Sequence, residues 1–179
     1  MPDTTIVEHT RMARRTTLRP LVIAGVIGAT IAGPRAFGGP AAVNPYVPLQ
    51  RYEGTWRVMP DGKSKPDRLV NDCARVGRFF ACQQTVNGKP GPLLIFIPDS
   101  AGHYYTQAVR GDGAAVGPPG RLNISGDHWV YLSKADSKGV RYRTINDFQG
   151  SDRVHFVVAH STDGKSWVVT LSGIEERVR

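Results

Sequence analysis

Beyond Pro48 the chain is a succession of short β-rich runs closed by turn signals, and none of it carries the periodicity of an amphipathic helix. The predicted strands are Tyr52–Val58, Arg68–Cys73, Phe79–Val86, Leu93–Ile97, Tyr104–Arg110, Arg121–Ile124, Trp129–Ser133, Val140–Phe148, Arg153–Ser161 and Ser166–Ser172. Between them stand Pro60-Asp61-Gly62, Gly77-Arg78, Asn87-Gly88, Ser137-Lys138-Gly139 and Asp163-Gly164, residues suited to tight turns. Consecutive strands joined by such turns favour an antiparallel meander, and closing the meander removes its exposed edges. The expected fold class is all-β, an antiparallel up-and-down β-barrel of about ten strands, with one domain over residues 42–179.

Residues 1–41 read differently. Arg11 to Pro20 is basic, and Leu21 to Ala32 is apolar throughout and 12 residues long. A membrane-spanning helix needs about 20 residues, so the pattern predicts an export signal with a linker, an uncleaved anchor being the alternative. Arg14-Arg15-Thr16-Thr17-Leu18-Arg19 resembles a twin-arginine signal, and cleavage is expected near Gly38 or Ala41. The expected location is periplasmic or extracellular, with transient contact with export machinery.

The formal charge of +8 comes from 23 basic and 15 acidic residues. Five basic residues face two acidic ones in 1–41, and 18 face 13 in the remainder, without a run of either sign. A nucleic-acid binder concentrates its cations on one face or helix, so no nucleic-acid partner is expected.

The two cysteines fit export. With Gly77-Arg78 as a two-residue type II′ turn, Val76 faces Phe79, Arg75 faces Phe80, Ala74 faces Ala81 and Cys73 faces Cys82. Counting alternation back from the turn places Cys73 and Cys82 in a non-hydrogen-bonded pair, where side chains approach closest. A Cys73–Cys82 disulfide is expected in an oxidising compartment; two free core thiols or a metal half-site are the alternatives. At the last hairpin, Asp163-Gly164 as a type I′ turn would pair His160 with Trp167, Val158 with Val169 and Phe156 with Leu171. Val154, Phe156, Val158, His160, Trp167, Val169 and Leu171 would then share the inward face, and a one-residue slip would reverse it.

Glu53-Gly54-Thr55-Trp56 resembles the Gly-x-Trp opening of lipocalin-like (calycin) barrels. Together with the cysteine hairpin and Phe79-Phe80, Gly102-His103-Tyr104-Tyr105, the run Ser161 to Trp167, and Glu175-Glu176-Arg177, the chain resembles exported bacterial calycin-like proteins of unknown function. The resemblance implies a barrel that holds a small apolar ligand, with Trp56 packing at its closed end. It carries over no catalytic residue.

The leading functional expectation is non-enzymatic binding of a small apolar molecule, with Trp56, Tyr105, Tyr142, Phe156, His160 and Trp167 as ligand-contact candidates. An exported enzyme using the same cavity and an envelope interaction module are the alternatives. No nucleophile elbow Gly-x-Ser-x-Gly occurs. No two histidines share metal-ligand spacing, since His155 and His160 point to opposite sides of one strand. His160 is best placed to meet haem iron, but Trp56 is followed by Arg57-Val58-Met59 rather than the glycine-rich opening of haem barrels, and a structural histidine is favoured. No cofactor or metal is assigned. Gly111 to Gly117 lacks the Gly-Lys-Ser/Thr of a phosphate loop and reads as a connection or lid at the barrel mouth. Among Tyr104, Tyr105, Tyr131 and Tyr142, core filling is favoured over pocket lining, and Arg141 and Arg143 read as solvated on the opposite face from Tyr142. Leu93 to Ile97 is apolar on both faces, so its outer face is expected either under the Val43–Leu49 segment or in a partner contact, such as a homodimer.

Overall fold

Strand alternation closes this sequence on itself. The computed structural model describes residues 44–179, so the predicted export segment and its cleavage positions lie outside the described residues. A short helix α1 (Val47–Gln50) precedes β1 (Gly54–Pro60), β2 (Asp67–Val76), β3 (Phe79–Val86), β4 (Lys89–Ser100) and β5 (His103–Val109). Then follow β6 (Gly120–Ser125), β7 (His128–Ser133), β8 (Arg141–Phe148), β9 (Arg153–Ser161) and β10 (Val168–Arg177). Each strand pairs antiparallel with its chain neighbours, and β1 closes on β10 through pairs such as Trp56↔Arg177 and Val58↔Glu175. The architecture is a closed ten-stranded antiparallel barrel. Inward side chains at alternate positions build its core, among them Trp56, Leu69, Phe80, Tyr104, Leu122 and Trp129.

One end of the barrel is plugged by the segment before β1. The Tyr46 hydroxyl donates to the Arg78 carbonyl at 3.2 Å and the Tyr104 hydroxyl to the Pro45 carbonyl at 2.7 Å, while Leu49 is fully buried. Arg177 completes the seal: its guanidinium lies 4.2 Å from the Trp56 ring centroid and donates to the Arg51 and Glu53 carbonyls. Gly54 is needed here, because it sits at φ 111° and a Cβ would come within 2.8 Å of the Arg177 guanidinium. From Asn44 onward this segment caps the closed end, so it does not cover the outer side of β4, where Leu93, Ile95 and Ile97 stay half-buried.

The β2–β3 hairpin has the expected register, with Val76↔Phe79, Arg75↔Phe80, Ala74↔Ala81 and Cys73↔Cys82, and Gly77 at φ 60°. The cysteine Cα atoms are 4.0 Å apart and their sulfurs stand at disulfide distance, which fits an oxidising environment.

The β9–β10 hairpin departs from expectation. Its connection is a longer loop over 162–167, because Oδ1 of Asp163 accepts from the backbone N–H groups of Lys165 and Ser166 and from the Ser161 hydroxyl. Val168, not Trp167, therefore pairs with His160, and Val169 opposes Ala159. An irregularity between Val169 and Leu171 then restores the phase, giving Leu171↔Val158 and Gly173↔Phe156. Val154, Phe156, Val158, His160 and Leu171 thus keep the inward side expected of them, whereas Val169 turns outward and Trp167 leaves the strand.

Candidate functional site

The barrel interior is not filled. A cavity of about 480 Å³ extends from the open end toward the capped end, a volume within the range of small-molecule sites. β4 and β5 contribute Leu94, Phe96, Thr106 and Ala108, and β6 and β7 contribute Leu122, Trp129 and Tyr131. On β8, Tyr142, Thr144 and Asn146 occur at alternate positions and all line it. Gln84 and Tyr52 lie toward the closed end, and Val116, Gly117 and Pro118 of the loop between β5 and β6 sit over the mouth. That loop is held by the Val116 N–H donating to the Ala108 carbonyl at 2.8 Å and by the Tyr131 hydroxyl reaching the Pro118 carbonyl at 3.4 Å.

Among the described residues, none of the lining side chains is charged. The three tyrosines stay neutral at ordinary pH: burial raises the Tyr52 and Tyr131 phenols, and the hydrogen bond to Asp136 raises Tyr142. Toward the closed end a polar group is tied together. The Asn71 amide donates to the Tyr52 carbonyl at 3.0 Å, and the Gln84 amide donates to Asn71 Oδ1 at 3.0 Å. Glu175, on the inward side of β10, is buried with Oε2 unpartnered among the described residues, and burial pushes its carboxyl up to about 7. It does not line the cavity. The Thr106 hydroxyl and the Trp129 indole N–H, both on lining residues, also have no hydrogen-bond partner among the described residues.

Of the six ligand-contact candidates, Tyr142 lines the cavity. Trp56 and Phe156 point inward but are packed into the core below it, at 0% and 5% exposure. His160 lies on the inward side at the open end, between Tyr142 of β8 and Val168 of β10. Tyr105 faces outward, because its neighbours Tyr104 and Thr106 take the inward positions; its ring lies under the Arg121 guanidinium, 4.3 Å from the centroid, and its hydroxyl accepts from Arg121 at 2.7 Å. Trp167 is displaced by the longer loop and packs against Arg143, whose guanidinium is 4.2 Å from its centroid. Arg143 is accordingly half-buried rather than solvated. Tyr52, Gln84, Trp129 and Asn146 were not among the candidates; for Thr144 and Asn146 the alternation from Tyr142 was the available signal, whereas nothing local marks Tyr52, which belongs to the cap. Among the described residues no three His, Cys, Asp or Glu side chains gather as a metal site.

No protein-family model matches the chain, and no curated protein does. Among solved structures it is similar to Rv2717c from M. tuberculosis, at a TM-score of 0.48 and 18% identity over 75% of this chain and 97% of that one. It is also similar to the S-type phycobiliprotein lyase CPES from Guillardia theta, at a TM-score of 0.48 and 12% identity over 73% of this chain and 90% of that one.

Proposed function

We propose that this protein is an exported, non-enzymatic binder of a small, uncharged, largely apolar molecule held in the barrel cavity. The observation that carries the proposal is the cavity of about 480 Å³ whose lining has no charged side chain. An ion moved into such a lining loses hydration without gaining a countercharge, whereas an apolar body gains by leaving water. Binding rather than turnover is favoured because the lining holds no carboxylate, imidazole or thiol to move a proton or attack a substrate. Export to the periplasm or beyond is supported by the Arg11–Ala32 pattern and by the cysteine pair.

The test is a fluorescence titration with the uncharged probe N-phenyl-1-naphthylamine, compared between the natural chain and two variants that fill the cavity, Ala108→Trp and Thr144→Trp. Saturable enhancement with the natural chain, lost in both variants while they stay folded, is the expected result. Equal enhancement in all three would place the probe outside the barrel and reject the proposal.

A further inference from the structure

We infer that the open end of the barrel docks on an anionic lipid bilayer. Five loops meet at that end, and all six lysines of the chain lie on them or at the adjoining strand ends: Lys63, Lys65, Lys89, Lys134, Lys138 and Lys165. Each is exposed. Only Lys63 has a carboxylate partner among the described residues, Asp67 at 3.1 Å. The carboxylates of this end are engaged locally. Asp61 accepts from the Ser172 hydroxyl, Asp112 pairs with Arg110, and Asp136 and Asp163 accept from backbone N–H groups of their own turns. Five of the six lysines therefore have no salt-bridge partner among the described residues, and the six lysines with Arg110 outnumber the five carboxylates of this end, Asp61, Asp67, Asp112, Asp136 and Asp163.

Apolar side chains stand among these cations. Val86, Val116, Val168 and Leu171 are 40%, 42%, 58% and 44% exposed, all toward the same end. Val168 and Leu171 hold inward register positions yet remain open to solvent, so this apolar rim is continuous with the cavity side of the sheet. A lipid headgroup layer accommodates both components, with lysine ammonium groups at the phosphates and the apolar rim at the acyl boundary. A nucleic acid would reward the cations and leave the valines and Leu171 in water. The preference for lysine over arginine also fits diffuse attraction to a charged surface better than the fixed fork that grips a single phosphate. Docked in this way, the mouth would open onto the membrane, where apolar molecules concentrate. This goes beyond the cavity proposal, and the test contains no cavity ligand, so either can fail alone.

The experiment is flotation of the full chain with vesicles of phosphatidylcholine alone and with about one part in three phosphatidylglycerol. It compares the natural chain with two charge-reversed variants. One carries Lys134→Glu, Lys138→Glu and Lys165→Glu at the open end, and the other carries Arg75→Glu and Arg78→Glu at the closed end, where Val76 and Phe79 are also exposed. Expected is binding to the anionic vesicles that falls with salt, drops at least about tenfold in the lysine variant, and is retained in the arginine variant. Loss in the arginine variant alone would move the contact to the closed end and overturn the inference. Equal binding to neutral vesicles would assign attachment to the apolar 21–32 segment and also overturn it, as would no binding at all.

Discussion

Glu175 and Tyr52 interact inside the barrel: burial raises both groups, and a charge on the carboxylate pushes the phenol higher still. Glu175 occupies an inward position of β10, opposite Val58 and Val154. Arg177, the next inward residue of β10, is committed to Trp56 and the cap carbonyls. Burial therefore dominates, and the carboxyl titrates at about 7 in the folded chain against an ordinary 4.5.

A raised folded value means that the native state holds its proton more tightly than the unfolded chain. The associated stability is fully present below about pH 4.5 and is lost as pH rises through about 7. Replacing Glu175 by Gln should flatten this part of the pH–stability profile and stabilise the protein at pH 8 by of order 2 to 3 kcal/mol. Urea unfolding of both chains at pH 5 and pH 8 measures it; an unchanged slope in the variant would show that Glu175 is not its source.

Cys73 and Cys82 close a loop with a sequence separation of 9. Cross-linking a loop of that size restricts the unfolded chain by about 2 to 3 kcal/mol, so Cys73→Ala with Cys82→Ala should cost about that much. The hairpin should survive, because Gly77 and the flanking pairs of β1 and β4 fix the register independently. Unfolding midpoints with and without reductant give the cost, and far-ultraviolet circular dichroism reports the sheet.

Gly173 sits where β10 meets the end of β1, and a Cβ there would lie 2.7 Å from Pro60 Cα and still closer to the Met59 carbonyl. These are backbone atoms that cannot rotate away. Gly173→Ala should therefore destabilise the barrel by about 2 to 4 kcal/mol, whereas Gly111→Ala, in a turn with open space around the new methyl group and no positive φ, should cost much less. Thermal unfolding of the two variants side by side separates close packing from the general effect of losing a glycine.

Asp163 organises the loop that displaces Trp167, and its hydrogen bonds hold its carboxyl well below the usual range. Asp163→Ala should loosen the loop and make the Trp167 indole more accessible to acrylamide quenching, with little change in Trp56 or Trp129, which are buried. Uniform quenching before and after substitution would mean that the loop keeps its shape without the carboxylate.

The strands and the cysteine hairpin were legible because turn chemistry and alternation are local. Gly77 can adopt the positive φ of the turn, and counting back from it fixes every pair to Cys73↔Cys82. The same count failed at Asp163-Gly164, because a side-chain oxygen captured two backbone N–H groups and lengthened the loop. Tyr104-Tyr105 shows a second limit, since adjacent tyrosines do not reveal which faces inward until the pairing with β4 and β6 is known. Depth is a third. Trp56 and Phe156 are inward, yet whether an inward residue touches a cavity or packs below it depends on how α1 and Tyr52 plug the end. The lysines illustrate a fourth: they are scattered along the chain, and only an up-and-down topology, which sends alternate connections to one end, brings them together.

The cavity proposal can be decided by native mass spectrometry of the protein recovered from the cells that make it, under non-reducing conditions, beside the Ala108→Trp variant. A noncovalent small-molecule adduct on the natural chain, absent from the folded variant, is the expected result, and the adduct's mass would begin to identify the ligand. A natural chain that is bare, or an adduct retained when the cavity is filled, would contradict binding in the barrel.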